Sequence, residues 1–142
     1  MSTLTYRVIY GDVDLMGFMY YANYLRLFEA GRNEYCRDHG ITYKEIEAAG
    51  FFFPVVEAHA KYVRPARYDD LLTLKTWICR RTRVRLEFAF ELLREGELLA
   101  TGNTVHACIN REGRPQRLPA GWEARFPVME SPLQTAAAGE ST

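Results

Sequence analysis

The segment Tyr10-Gly11-Asp12-Val13-Asp14-Leu15-Met16-Gly17-Phe18-Met19-Tyr20-Tyr21-Ala22-Asn23-Tyr24 places two carboxylates among two glycines, immediately before a predicted helix. A helix N-terminus presents free backbone N–H groups and a partial positive charge, which suits an oxygen that becomes negative during a reaction. An aspartate beside it can act as general base or as nucleophile. The same residue types also build ordinary turns, with Asp12 or Asp14 capping the turn and Asn23 capping the helix. Residue types alone leave both readings open.

Further along, Arg80-Arg81-Thr82-Arg83-Val84-Arg85 puts four arginines within six positions. Guanidinium groups form paired hydrogen bonds to phosphate oxygens, so the run suits a phosphorylated ligand; a solvated strand end is the plain alternative. His39, His59 and His106 lie far apart with no ligand spacing, and no metal site is expected from them. His106 reads as a satisfied core or interface histidine. Cys36, Cys79 and Cys108 are odd in number and contain no Cys-x-x-Cys, so they read as small buried thiols.

The elements that must position these residues follow from periodicity. Leu4 to Tyr10 alternates Tyr6, Val8 and Tyr10 against Thr5, Arg7 and Ile9, which predicts a strand ending at Gly11-Asp12. From Asn23 to His39, Tyr24, Leu27, Phe28, Gly31 and Tyr35 recur at three- and four-residue steps, which predicts a helix with one buried stripe. Gly40 then supplies a stop, Thr42 with Glu45 a capping box, and Gly50 the end of a second, short helix. Beyond Phe51 the period changes to two. Val84, Leu86, Phe88, Phe90 and Leu92 alternate with Arg83, Arg85, Glu87, Ala89 and Glu91, the pattern of a strand with one packed and one wet face. Leu71 to Cys79, Leu98 to Asn110 and Phe53 to Tyr62 are further strands, with hairpin turns at Glu95-Gly96 and Glu112-Gly113. One long amphipathic helix among five strands predicts an α+β fold, an antiparallel sheet wrapped around one long central helix.

The 142 residues suit one domain, placed at 1–126, with residues 127–142 reading as a disordered tail of small and polar residues. Eighteen Lys+Arg against eighteen Asp+Glu leave a formal charge of zero, so no overall basic field is available to hold a nucleic acid. No run approaches the roughly 18 to 20 apolar residues of a membrane span. The first residues lack the basic and then apolar run of a secretory signal, so a cytoplasmic protein is expected.

Tyr10 to Tyr24, followed by Leu27-Phe28-Glu29-Ala30-Gly31-Arg32, resembles the signature of hotdog-fold acyl-CoA thioesterases of the 4-hydroxybenzoyl-CoA thioesterase type. The resemblance continues through Arg64-Pro65-Ala66-Arg67-Tyr68-Asp69-Asp70-Leu71-Leu72 and covers roughly positions 5 to 120. It implies that Asp14 is the catalytic carboxylate and that the backbone N–H at Tyr21 binds the thioester oxygen, with Gly17, Tyr20 and Asn23 contributing to the substrate site. Many members carry His at the place of Tyr21, so the contact implied here is the backbone one. Glu29 falls where the family often has an acidic residue that orients water or the partner's loop; an ion pair with Arg26 or Arg32 is its alternative. The resemblance also implies that CoA phosphates are held by Arg80, Arg81 and Arg83, with Arg83 foremost. Phe51-Phe52-Phe53, together with Tyr20 and Tyr21, can wall an acyl pocket or simply fill the core.

The expectation is an acyl-CoA thioesterase that needs no metal or redox cofactor and self-associates as a dimer or tetramer through exposed sheet edges. A hotdog dehydratase, which uses a histidine with a helix carboxylate, is the enzymatic alternative; no histidine occurs from Tyr10 to Asn23. A non-catalytic acyl-CoA-binding protein is the third reading.

Overall fold

A computed structural model of the chain describes residues 1–131. Five strands, β1 (Ser2–Arg7), β2 (Val55–Tyr62), β3 (Leu71–Arg81), β4 (Arg85–Arg94) and β5 (Glu97–Ala107), form one sheet in the order β1-β3-β4-β5-β2, with every neighbouring pair antiparallel. Two helices, α1 (Asn23–Asp38) and α2 (Tyr43–Ala49), lie between β1 and β2 in the chain.

The predicted stripe of α1 is its buried face: Tyr24, Leu27, Phe28, Gly31 and Tyr35. It packs on the even positions of β4, with the Phe28 ring stacked on Phe90 at 4.4 Å and Tyr35 meeting Phe88 edge-on at 5.4 Å. Two glycines make this approach possible. A Cβ at Gly31 would stand 2.6 Å from both Leu74 Cδ2 and Thr76 Oγ1, and one at Gly102 would collide with the Phe28 ring and the His59 carbonyl.

The helical part comprises two helices, the long one and the short second one expected from Thr42, Glu45 and Gly50, so the long helix is not the single helix of the fold. Gly40, at φ 66°, ends the first, and Thr42 starts the second by accepting the Glu45 N–H at 3.1 Å. Gly50 closes α2 at φ 77°, and none of its residues is buried.

Two further expectations change. The predicted strand to Tyr10 stops at Arg7, because residues 10–12 wind into a 3₁₀ turn that swings Tyr10 out to 79% exposure while Val8 stays buried. The outer face of the sheet is also drier than alternation predicts, since Trp77, Glu91 and Leu93 are buried there. Residues 127–131 run beside this face: Val128 bridges Ile78, and the Met129 N–H donates to the Ile78 carbonyl at 2.9 Å. The remainder of the expected tail lies outside the described residues. Of the two sheet edges, β2 is exposed along almost its whole length. Among the described residues no helix is long and apolar enough to cross a membrane.

Candidate functional site

The loop before α1 separates its two carboxylates. Asp12 is buried, and its carboxylate accepts the Tyr6 hydroxyl at 2.6 Å and the Ile9 N–H at 2.9 Å. Its main-chain carbonyl accepts the Tyr20 N–H at 2.8 Å and the Asn23 side-chain amide at 2.9 Å. Asp12 therefore closes the loop from inside. Asn23 does not cap the helix; it opens α1 and reaches back to the loop, while the N-cap is Ala22 with no side-chain cap bond.

Asp14 is half-buried, and one of its oxygens, Oδ1, accepts the Met16 N–H at 2.8 Å and the Phe18 N–H at 3.2 Å. The turn is completed by the Asp14 N–H on the Phe18 carbonyl and by the Gly17 N–H on the Asp14 carbonyl, with Gly17 at φ 79°. Among the described residues the other oxygen, Oδ2, has no hydrogen-bond partner. Capping the turn and serving the site are thus compatible duties, one for each oxygen. The second half of the signature backs the loop: the Met19 N–H donates to the Ala66 carbonyl at 2.7 Å, and Phe18 bridges Arg67. Asp70 ties that segment down by accepting the Arg67 N–H and the Arg94 guanidinium, each at 2.8 Å.

Asp14 and Tyr21 line a cleft of about 320 Å³ with Phe18, Met19, Tyr24 and Tyr62, closed on one side by Val63, Arg64 and Pro65. At the helix start the carbonyls of Tyr20, Tyr21 and Ala22 accept the N–H groups of Asn23, Tyr24 and Leu25. The N–H groups of Tyr21 and Ala22 have no acceptor among the described residues. The cleft thus brings together a carboxylate, Tyr21 with its free amide, and an aromatic wall, and the free Ala22 amide is next in the chain. That set can hold a carbonyl group and deliver a base or nucleophile to it.

Other expected residues fall elsewhere. Glu29 is exposed and lines a separate cleft of about 440 Å³ with Tyr6, Asp12, Asn23 and Arg26. It forms no ion pair among the described residues. Its charge partly offsets the burial that pulls the Arg32 guanidinium down. Tyr20 packs its ring on Tyr21 at 4.7 Å, outside the Asp14 cleft. Phe51 and Phe53 are also away from it, packed edge-on against Trp122 and Phe126 as core residues.

The arginine run divides. Arg81 donates to the carbonyls of Glu123 and Phe126, at 2.6 and 2.5 Å, fastening the C-terminal segment to β3. Arg80 lines a small cleft with Thr82 and Arg85, beside Glu57 and Glu87, and Arg83 is exposed in the turn between β3 and β4. His106 is buried, with Nε2 against the Thr104 hydroxyl at 2.9 Å and Nδ1 against the Phe53 carbonyl at 3.0 Å. Burial pulls it down to about 4, with the Arg32 charge pushing the same way and the Phe53 carbonyl opposing.

Sequence reasoning missed Tyr24, Tyr62 and Val63 as walls of the site. Tyr24 reads as helix stripe and Tyr62 as the end of a strand, and only the fold brings the end of β2 to the start of α1.

The fold and this loop-and-helix site define a hotdog thioesterase. The chain matches the model of the Thioesterase-like superfamily over residues 8–134, and it belongs to that family. It is 30% identical over 122 residues to the acyl-CoA thioester hydrolase YbgC of Escherichia coli O157:H7, spanning 84% of this chain and 91% of that protein. TT1821 from Thermus thermophilus superposes with a TM-score of 0.82 at 32% identity, covering 89% of this chain and 97% of its own. SAV2348 from Staphylococcus aureus, whose structure is a complex with CoA, superposes at 0.81 with 25% identity, covering 94% of this chain and 90% of its own. By family the chain is a thioester hydrolase.

Proposed function

We propose that the protein hydrolyses acyl-CoA thioesters to a carboxylic acid and free CoA, with Asp14 as the catalytic carboxylate and the start of α1 as the oxyanion site. The observation that carries this reading is the cleft itself, in which Asp14 and Tyr21 face the same space. The substrate carbonyl accepts the Tyr21 N–H, which favours the negative charge that builds on oxygen. Water then attacks the carbonyl carbon while Asp14 takes its proton; alternatively Asp14 attacks first, giving a mixed anhydride that water opens. In either route the C–S bond breaks and the CoA sulfur leaves as thiolate, taking up a proton from solvent.

Gly17 shapes the loop and Asn23 ties it to the helix, whereas Tyr20, Glu29, Arg80 and Arg83 bear on the substrate from outside the Asp14 cleft. The exposed edge strand β2, with Val55, Val56 and Tyr62 open to solvent, supports a dimer as the working unit. A monomeric mass in solution with activity intact would remove that part. The whole is read as one cytoplasmic domain over residues 1–126.

Asp14→Asn keeps size and most hydrogen bonding but cannot take a proton, so kcat should fall roughly 10² to 10⁴-fold with the melting temperature held. A variant as fast as wild type sinks the mechanism. Binding of acyl-CoA without turnover by the wild-type protein would favour the non-catalytic reading. The dehydratase reading has no support in this cleft, whose lining contains no histidine.

A further inference from the structure

We infer that Tyr62 is a positioning residue for the oxyanion site, acting through the peptide between Tyr21 and Ala22; this rests on the thioesterase reading above. Tyr62 is the last residue of β2, and its hydroxyl donates to the Tyr21 carbonyl at 3.0 Å. Its ring stands edge-on to Tyr24 at 4.8 Å. Tyr24 is itself fastened, since its hydroxyl accepts the Ala66 N–H at 3.2 Å. The phenol is therefore held from the side by a ring that the loop behind it holds in turn.

A peptide unit is planar, so fixing its carbonyl fixes its N–H on the opposite side. The carbonyl of Tyr21 belongs to the same unit as the N–H of Ala22, one of the two donors without an acceptor at the helix start. The unit before it carries the other, the Tyr21 N–H, and has its carbonyl held by the Asn23 N–H at 2.9 Å. Each free donor thus has a hydrogen bond behind it. The helix supplies the bond behind Tyr21 N–H. Behind Ala22 N–H the helix supplies only the longer contact from Tyr24 N–H, at 3.3 Å, and Tyr62 supplies the shorter one. A donor on the carbonyl also polarises the peptide and strengthens its N–H. Burial and the neighbouring tyrosines hold the Tyr62 phenol above its usual range, so it remains a donor at neutral pH.

The function of this bond is to make two amides, rather than one, aim at the developing oxyanion. Tyr62→Phe removes the hydroxyl and keeps the ring on Tyr24. We expect kcat to fall about tenfold with KM within twofold of wild type, because the loss appears where charge develops on oxygen. An S-alkyl-CoA thioether, which has no carbonyl, should bind both proteins equally. The Ala22 amide resonance should shift in the variant, a readout independent of turnover. Unchanged kcat in Tyr62→Phe overturns the inference while leaving the thioesterase reading in place, as does a rise confined to KM, which would make Tyr62 a mere wall. A variant that folds poorly is decided by the Ala22 resonance in its folded fraction, where no shift overturns the inference. A wild-type protein that hydrolyses no acyl-CoA overturns both.

Discussion

The Tyr6 hydroxyl donates to the buried carboxylate of Asp12 at 2.6 Å, binding the first strand to the loop that carries Asp14. Burial, and then this bond to a negative partner, push the Tyr6 phenol up to about 12. Tyr6 is therefore a committed donor and Asp12 is engaged with the first strand through Oδ2, whereas Asp14 is the carboxylate that shares a cleft with Tyr21.

Asp12→Asn follows directly. Both donors, the Tyr6 O–H and the Ile9 N–H, share Oδ2, so an amide oxygen there still accepts both but gives up the charge that strengthens them. The variant should lose about 1–3 kcal/mol of stability, read from urea denaturation. Its kcat should remain well above that of Asp14→Asn. Wild-type stability in Asp12→Asn would show that the loop does not depend on this carboxylate.

The arginines should separate by their contacts. Replacing Arg80 and Arg83 together by Ala should raise KM for acyl-CoA several-fold and leave an acyl-pantetheine substrate, which lacks the nucleotide phosphates, unaffected. Arg81→Ala should instead lower the melting temperature, since it breaks two bonds to the C-terminal segment. Equal losses on both substrates in the Arg80 and Arg83 double variant would mean that these side chains do not read the phosphates.

His106 sets a pH dependence of stability. Its folded value of about 4 lies below the ordinary 6.5, so the unfolded chain binds the proton more readily. Stability is fully present above about pH 6.5 and is lost as pH falls toward 4, by roughly 3 kcal/mol in all. Denaturation midpoints between pH 7 and 4 measure the slope, and His106→Gln should flatten it. An equal slope in that variant would assign the acid sensitivity to other groups.

Local patterns were legible in the sequence because they are set by local geometry. The α1 stripe from Tyr24 to Tyr35, the Thr42 cap, the Gly50 stop and the alternation through Phe88 and Phe90 each need only a helical or extended period and a turn chemistry. The loop from Tyr10 to Tyr24 likewise carries its family in the spacing of its own residues. What the tertiary structure decided is which side chains meet across long separations. Asp12 and Asp14 are the same residue type two positions apart, yet the 3₁₀ turn at residues 10–12 folds one back onto Tyr6, and the other shares a cleft with the distant Tyr62 and Val63. Arg81 is one of four similar arginines until residues 123–126 pass within reach of it. Tyr62 lies 41 residues from Tyr21, and the pairing of β2 on β5 brings its hydroxyl there. Periodicity tells each residue which face it occupies; only strand register and helix packing determine what stands opposite that face.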